Sequence, residues 1–293
     1  MSDRRAIDSR GALLALLASL FWGANTVAIK LGLADAPPLR LAWMRFVVGG
    51  ATIALWAWLT GRFIGMRLPR AEWRPLITLA LIFTAQIATM NIGTALTSAA
   101  HASIILNLYA VHTVVLSHFL IPGDRLTVAR LAGVLVAYGG IVVLFAGQRG
   151  GASASLLGDA IVFVSAFLLA ERTVYLARAV QALEPVKLLL AQATIGSALL
   201  MLGSILTETA TPTTWSPRLA ASVAYQGVLI AGFNFIVNLW LLRRYRPSSL
   251  VPFFLTQPLF GVVAAAVMAG EPLTWPLLVA GAAVAIGMGL ATR

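Results

Sequence analysis

The last quarter of the chain reads LAASVAYQGVLIAGFNFIVNLWLL over 219–242, PSSLVPFFLTQPLFGVVAAAVMAG over 247–270 and PLTWPLLVAGAAVAIGMGLAT over 272–292. None of the three holds an Asp, Glu, Lys or Arg, and their lengths are 24, 24 and 21 residues. A helix needs ~20 apolar residues to cross ~30 Å of hydrocarbon, so each is a membrane span. Working back toward the N-terminus, the uncharged run 75–123 is 49 residues, too long for one crossing, and divides around Thr94–Ala100. Read in this way the chain predicts ten helices, near 11–34, 40–60, 74–94, 99–121, 127–147, 156–178, 187–206, 218–242, 248–269 and 273–292. A membrane barrel would alternate apolar and polar residues instead of running solidly apolar.

Composition agrees. Of 293 residues 60% are hydrophobic and 11% charged, with a mean hydropathy of +0.90. Soluble domains carry about 25% charged residues, so a soluble globular enzyme and a disordered chain are both excluded. The net charge of +11 does not point to nucleic acid, because the bases sit in short gaps between apolar runs and form no folded patch. Cysteine is absent, which removes disulfides, thiolate metal sites and Cys nucleophiles. His101, His112 and His118 do not form a metal cluster, and no metal or cofactor is expected.

The bases set the orientation. With the N-terminus inside, one side collects 15 of the 21, in the gaps holding Arg4, Arg62, Arg125, Arg178, Arg243 and Arg293. The other side has Arg40, Arg149 and Arg218, and Lys30, Arg45 and Arg172 fall within spans. Such a bias places both termini in the cytoplasm, and one missed span would scramble it. Residues 11–34 are too long for the apolar core of a signal peptide and read as a retained first span.

An internal repeat lies at a shift of 147 residues. Gly11 falls on Gly158, Pro38 on Pro185, Asn91 on Asn238 and Gly140 on Gly287, while 123–127 (GDRLT) falls on 270–274 (GEPLT). Each half has five spans, an odd number, so the second enters the membrane in the opposite sense. The expected organisation is a cytoplasmic segment 1–10, a first repeat 11–147, a linker 148–156 and a second repeat 157–292. Inverted repeats of this kind build secondary transporters, with substrate near the midplane.

The stretch 21–30 (FWGANTVAIK) resembles the first-helix signature of the drug/metabolite transporter superfamily, EamA type. Further matches are Pro37-Pro38 with Arg45-Phe46, the run 95–100 (ALTSAA), Gly158-Asp159, and 255–260 (LTQPLF) leading to Gly270-Glu271. The resemblance covers 11–292 and implies ten helices in two inverted halves around a central cavity. It also implies export of small metabolites across a bacterial inner membrane, and bacterial proteins of this form are similar to amino-acid exporters, including aromatic ones. Two positions depart from the pattern: Val111 stands at the helix-4 counterpart of Pro258, and Asp124 at that of Glu271.

Polar groups at mid-depth are costly unless they meet protein or water, which makes each a candidate. The candidates for a substrate cavity are Trp22, Asn25, Gln86, Asn91, Asn107, Tyr109, His112, Glu171, Tyr175, Asn234, Asn238 and Gln257. Amides and imidazole suit an amino acid's carboxylate and ammonium, and Trp22, Tyr109 and Tyr175 offer rings for its side chain. Any of the amides also serves as a helix-to-helix tie. Lys30 and Arg45 read as snorkelling cations near the outer ends, and Arg172 as a poor partner for its neighbour Glu171. Glu171 is either neutralised by another helix or is an ammonium or proton site.

Pro252 and Pro258 are expected to bend helix 9. Gly281, Ala285 and Gly289 make a small-residue stripe that serves internal packing or a weak homodimer seam. The expected partners are the lipid bilayer and a small-molecule substrate, with the chain a monomer or weak homodimer. A carrier is the leading class. A channel would show charge rings or a carbonyl filter, an embedded enzyme would show clustered acids, and a nucleotide-driven pump would show a phosphate-binding Gly-Lys loop. A broad-specificity drug or metabolite exporter is the alternative within the same superfamily.

Overall fold

The computed structural model describes residues 7–63, 67–120, 126–146, 155–245, 250 and 253–291. It is all-helical. In order come α1 (Ser9–Gly32), α2 (Pro38–Leu59), α3 (Arg70–Leu96), α4 (Ala99–Asn107), α5 (Tyr109–Leu120), α6 (Val128–Ala146), α7 (Leu156–Ala179) and α8 (Pro185–Thr207). Then follow α9 (Pro217–Ala224), a π-helical stretch (Tyr225–Asn234), α10 (Phe235–Arg244), α11 (Gln257–Ala269) and α12 (Trp275–Ala291). With α4–α5 counted as one rod and α9 to α10 as another, the described residues form ten rods. Eight are long and apolar enough to cross a membrane, and α11 and α12 are shorter apolar helices. Leucines and valines such as Leu55, Leu135, Val142, Val263 and Val267 face outward. Trp58, Trp73, Trp215 and Trp275 are exposed near rod ends, where indole rings sit at a membrane–water interface.

The 147-residue shift is written into the helix boundaries. Added to the first residues of α1, α2, α3 and α6, it gives the first residues of α7, α8, α9 and α12. The reason is local chemistry repeated in place. Asp8 accepts from Gly11 N–H to cap α1, and its counterpart Ser155 accepts from Gly158 N–H to cap α7. Pro38 and Pro185 open α2 and α8, where a missing N–H costs no helical bond. Packing between halves repeats as well. α6 lies on α12 and α2 on α8; α3 packs on α7 as the π-containing rod packs on α1; α1 meets α11 as α7 meets α4 and α5. Exchanging the halves therefore maps these contacts onto themselves.

The sequence reading needs correction at the helix breaks. The rod expected as a single helix over 99–121 is interrupted at Leu108, whose N–H reaches back only to Ile105 O. Its counterpart in the second half is Leu255, within the turn that precedes α11, where Thr256 N–H reaches Phe253 O. Pro258 lies in the first turn of α11, directly after the turn at Leu255–Thr256; having no N–H to give to Phe254 O, it cannot carry a continuous helix through that point, and Pro252 lies outside the described residues. Both breaks coincide with side chains that bond nearby carbonyls: Asn107 Nδ2 donates to Ser103 O and Thr256 Oγ1 to Phe253 O. Helix 4 breaks without a proline, Val111 standing at the position of Pro258.

The two ends of the bundle are fastened differently. At the end holding the α1–α2 turn, Arg218 Nη2 and Nε grip the two oxygens of Asp35 at 2.6 and 2.8 Å. The Arg218 guanidinium, with Ser216, holds the Asp35 carboxyl down at about 2. Both oxygens of Glu208 accept from the N-terminus of α2 (Leu39 and Arg40 N–H, 2.7 and 2.9 Å). Both oxygens of Glu271 accept from that of α4 (Ala99 and Ala100 N–H, 2.7 and 2.9 Å). Carboxylates at helix N-termini meet both free N–H groups and the positive end of the dipole. Lys30 caps the other polarity, donating to the carbonyls of Thr94, Ala95 and Thr97 at the end of α3. Asp159 accepts from Thr97 Oγ1 and meets His101 Nδ1 at 2.9 Å. At the opposite end the described ties between halves are Lys187 to Glu72 (2.7 Å), Tyr245 to Asp8 (2.7 Å) and Tyr175 to Pro75 O (3.2 Å).

Candidate functional site

Charge buried at mid-span marks the site. Arg45 is the eighth residue of α2, about 10 Å from its start, and is 2% exposed. Its Nη1 donates to Gln226 Oε1 in the π-helical stretch, and its guanidinium lies 4.7 Å from the centroid of the Phe46 ring. Arg172, on α7 about 10 Å from its end, is 9% exposed. Its Nη1 donates to Gln86 Oε1 (3.0 Å), and its guanidinium stands 5.2 Å from the Phe83 ring. Phe46 and Phe83 meet edge to face at 4.7 Å, so the two cations flank one ring pair. Both hydrogen bonds join the first half of the chain to the second.

The rings also wall a cleft. Phe46, Ile53, Phe83, Leu189, Gln192, Ala193, Ala231 and Phe235 line a narrow, partly open cleft between α2, α3, α8 and the π-containing rod, with a volume of about 10 Å3, roughly the room of one water molecule. Neither arginine lines the cleft itself; each rests on a ring that does. Gly49 and Gly227 bring α2 against the π-helical stretch, since a Cβ at Gly227 would lie 2.6 Å from Val48 and 2.9 Å from Arg45 O. That crossing sets Gln226 beside Arg45. Gln86 is further fixed by donating to Ser165 Oγ (3.2 Å), whose hydroxyl returns a bond to Gln86 O.

Among the described residues neither guanidinium has a carboxylate partner. Arg45 also leaves Nε and Nη2 without a hydrogen bond. An arginine at the centre of a membrane helix costs ~2.5–3.5 kcal/mol on insertion scales. Two such residues without counter-ions mark a place built for something other than stability.

Nine of the twelve residues singled out by sequence fall into three groups. Gln86 belongs to the arginine network, and Tyr109 is within electrostatic reach of Arg172. Trp22 packs edge to face on Phe235, a wall of the cleft, and on Phe254. A second group sits where α1 crosses α4 and α11: Asn25 and Gln257 are buried there, with Asn25 Oδ1 and Gln257 Nε2 unpartnered, and Asn107 bonds Ser103 O of its own helix. A third group ties helix to helix. Asn91 donates to Pro38 O, Asn234 to Ala18 O and Tyr175 to Pro75 O. His112 lies among the rings of Tyr138, Phe163 and Phe167. Glu171 and Asn238 are half-buried outside the arginine network.

Sequence reasoning read Arg45 as a snorkelling cation, left Arg172 out of the candidate set as a poor partner for Glu171, and passed over Gln192 and Gln226. The repeat held the signal: at a shift of 147, Arg45 falls on Gln192 and Asn25 on Arg172. Polar residues at matching mid-span positions of both halves are not expected from lipid-facing helices.

Comparison with known proteins follows the same division of the chain. The EamA-like transporter family model matches twice, over residues 9–146 and 156–293. An uncharacterized transporter, YvbV, of Bacillus subtilis is 27% identical, covering 92% of this chain and 87% of that protein. A probable amino-acid metabolite efflux pump of Escherichia coli is 27% identical, covering 92% of this chain and 90% of its own length. A solved crystal structure superposes with a TM-score of 0.70 at 23% identity, covering 97% of this chain and 96% of that one, and so shares the fold. Matched in both of its halves, this multi-pass membrane protein belongs to the EamA-like transporter family.

Proposed function

We propose that the protein is a secondary carrier that exports amino acids and related small metabolites, aromatic ones included, across a bacterial inner membrane by alternating access. In this reading all ten rods span the membrane as two inverted repeats, with both termini in the cytoplasm. The heavily fastened end, which holds Asp35, Arg218, Glu208 and Glu271, then faces outward. In this reading that end is the one held shut by the larger set of described polar ties, and the cytoplasmic end carries fewer.

The observation that carries the reading is the buried network of Arg45, Gln226, Gln86 and Arg172, beside an aromatic cleft and bonded across the two halves. Rocking of the halves must remake these bonds, and a substrate with matching groups takes part in the exchange. This is differential binding between two conformations, the requirement for a ligand-driven change of state. The efflux pump among the relatives supports amino-acid-related cargo.

The test is counterflow in proteoliposomes. Labelled Phe, Trp, Thr or Met is offered to vesicles preloaded with each unlabelled amino acid, with and without a pH gradient. Saturable uptake accelerated by internal substrate is the expected result. Absence of uptake by folded protein for all four contradicts the amino-acid reading, and flux that never saturates contradicts a carrier.

A further inference from the structure

We propose that the start of α3 is a binding surface for an anionic phospholipid, its phosphate held by Arg70 and Arg74, its headgroup level met by Trp73, and an acyl chain laid along Ile77 and Leu81. This surface depends on the chain's spanning a membrane and not on what it carries. In the orientation proposed above it lies in the cytoplasmic leaflet.

Four observations lead there. The first is where the charges face. Arg70, Trp73, Arg74, Ile77, Leu81 and Ala85 are exposed and follow one another three or four residues apart, which puts them on one face of α3. Leu76, Leu79, Ala80 and Phe83 fill the buried side. Ile77 and Leu81 are 41% and 53% exposed, so the face they share is turned to lipid. At 1.5 Å per residue Arg74 stands about 10 Å from Leu81 along the axis. The two guanidinium groups and the indole therefore continue the lipid-facing stripe at headgroup level, where Trp is at home.

The second is the missing counter-charge. Arg70 and Arg74 are one turn apart, and like charges at that spacing repel. The acid of this turn, Glu72, is two residues from each and so lies on the other side of the helix, where it accepts from Lys187 Nζ at 2.7 Å. Among the described residues neither arginine has a carboxylate partner. A phosphodiester between them supplies the negative charge, and paired guanidinium N–H groups match its oxygens. Arg67, exposed three residues earlier, adds a third cation.

The third is rigidity. Lys187 holds Glu72 and Tyr175 Oη donates to Pro75 O, so α8 and α7 fix this turn from its buried side. The arginines stand on a fixed base instead of a free loop.

The fourth is the contrast between the halves. At the 147-residue shift Arg70, Trp73 and Arg74 fall on Pro217, Ala220 and Ala221, while Ile77 and Leu81 fall on Ala224 and Val228. The one cation at that second start, Arg218, is spent on Asp35. The repeat thus keeps an apolar stripe in both halves and adds unpaired cations only at α3, at the end facing the leaflet whose anionic headgroups attract basic segments.

The experiment titrates lipid into the purified full-length protein in a neutral detergent, with native mass spectrometry reading bound copies and apparent Kd. The wild type is expected to prefer dioleoylphosphatidylglycerol over dioleoylphosphatidylcholine about 20-fold. Arg70→Gln and Arg74→Gln should each weaken the anionic lipid about fivefold, and the double variant should bring it level with the neutral one. Arg10→Gln removes a charge from the same end, on α1, and should change it less than about twofold. Glycerol 3-phosphate and inorganic phosphate in large excess should leave the lipid bound, since neither uses the Trp73–Leu81 stripe. Equal wild-type affinity for the two lipids overturns the proposal. So does an equal loss in Arg10→Gln, which would mean diffuse charge, or displacement by the soluble phosphates, which would mean a site for a free anion. Both arginines are exposed, so the variants should fold; if one does not, the wild-type ranking and the competition decide.

Discussion

Replacing Gly287 with alanine adds one methyl group to the seam between the halves, where α6 lies on α12. That Cβ would stand 2.6 Å from Gly133 O and 2.7 Å from both Ala137 N and Ala137 Cβ. Ordinary contact begins near 3.4 Å, so it falls short by 0.8 Å against the carbonyl oxygen. Backbone atoms cannot swing aside, and the helices must separate. Gly133→Ala meets the same obstacle from the other side, at 2.5 Å from Ala291 N and 2.6 Å from Gly287 O. Overpacking of this kind costs ~1–3 kcal/mol, against which a helical Gly-to-Ala change recovers ~0.5–1 kcal/mol of backbone entropy. The net expectation is a loss of up to about 2 kcal/mol in either variant. Gly139, one residue from the seam glycine Gly140, is the control: a Cβ there meets nothing within 4 Å. Gly139→Ala should leave stability unchanged or raise it by ~0.5 kcal/mol. Thermal unfolding of the purified variants reads the difference. If Gly287→Ala and Gly133→Ala unfold with Gly139→Ala, at or above the wild type, the close crossing of α6 and α12 is wrong.

Other expectations follow from the fastened end and the arginine network. Because Arg218 holds the Asp35 carboxyl at about 2, below its ordinary value near 3.8, the pair stabilises fully above pH ~4 and is lost only as pH falls through about 2. Lowering the external pH from 7.5 to 5 should therefore leave the labelling of outer-end cysteine probes unchanged, while Asp35→Asn should raise it at both pH values. Glu208→Ala and Glu271→Ala each strip two N–H groups of their acceptor at a helix start, and each should cost ~0.5–2 kcal/mol in thermal unfolding. Arg45→Met removes a buried cation with no counter-ion among the described residues, and should unfold no earlier than the wild type while abolishing counterflow. Early unfolding of Arg45→Met would mean that the bond to Gln226 serves the fold.

The architecture was legible because membrane helices declare themselves by length and charge, and because the two halves repeat. Gly11 and Gly158, Pro38 and Pro185 carry the 147-residue shift in the sequence, and the structure adds the matching caps Asp8 and Ser155. The breaks were less legible. Helix 9 breaks at Leu255–Thr256, directly before Pro258, as a proline requires, whereas helix 4 breaks at Leu108 with Val111 in place of the proline. The site was partly legible. Gln86 stood out as a mid-span amide, but Arg45 looked like a snorkelling cation from its distance to the end of α2. Only the packing of α2 on the π-helical stretch shows its guanidinium turned inward to Gln226. Asn91, Asn234 and Tyr175 carry the same polar signature and spend it on neighbouring carbonyls. A single sequence does not separate those two uses, since both satisfy a polar group away from water.

The proposed alternating access makes one demand above all: the end fastened by Asp35, Arg218, Glu208 and Glu271 has to open in every cycle. The chain has no cysteine of its own, so a pair introduced at Arg40 and Thr213, which meet across the halves at that end, gives a clean lock. The measurement is counterflow by Arg40→Cys/Thr213→Cys before bridging with a short, reductant-cleavable bis-maleimide, after bridging, and after cleavage. The account predicts transport in the unbridged protein, its loss on bridging and its return with reductant. Undiminished transport with the end bridged would contradict it.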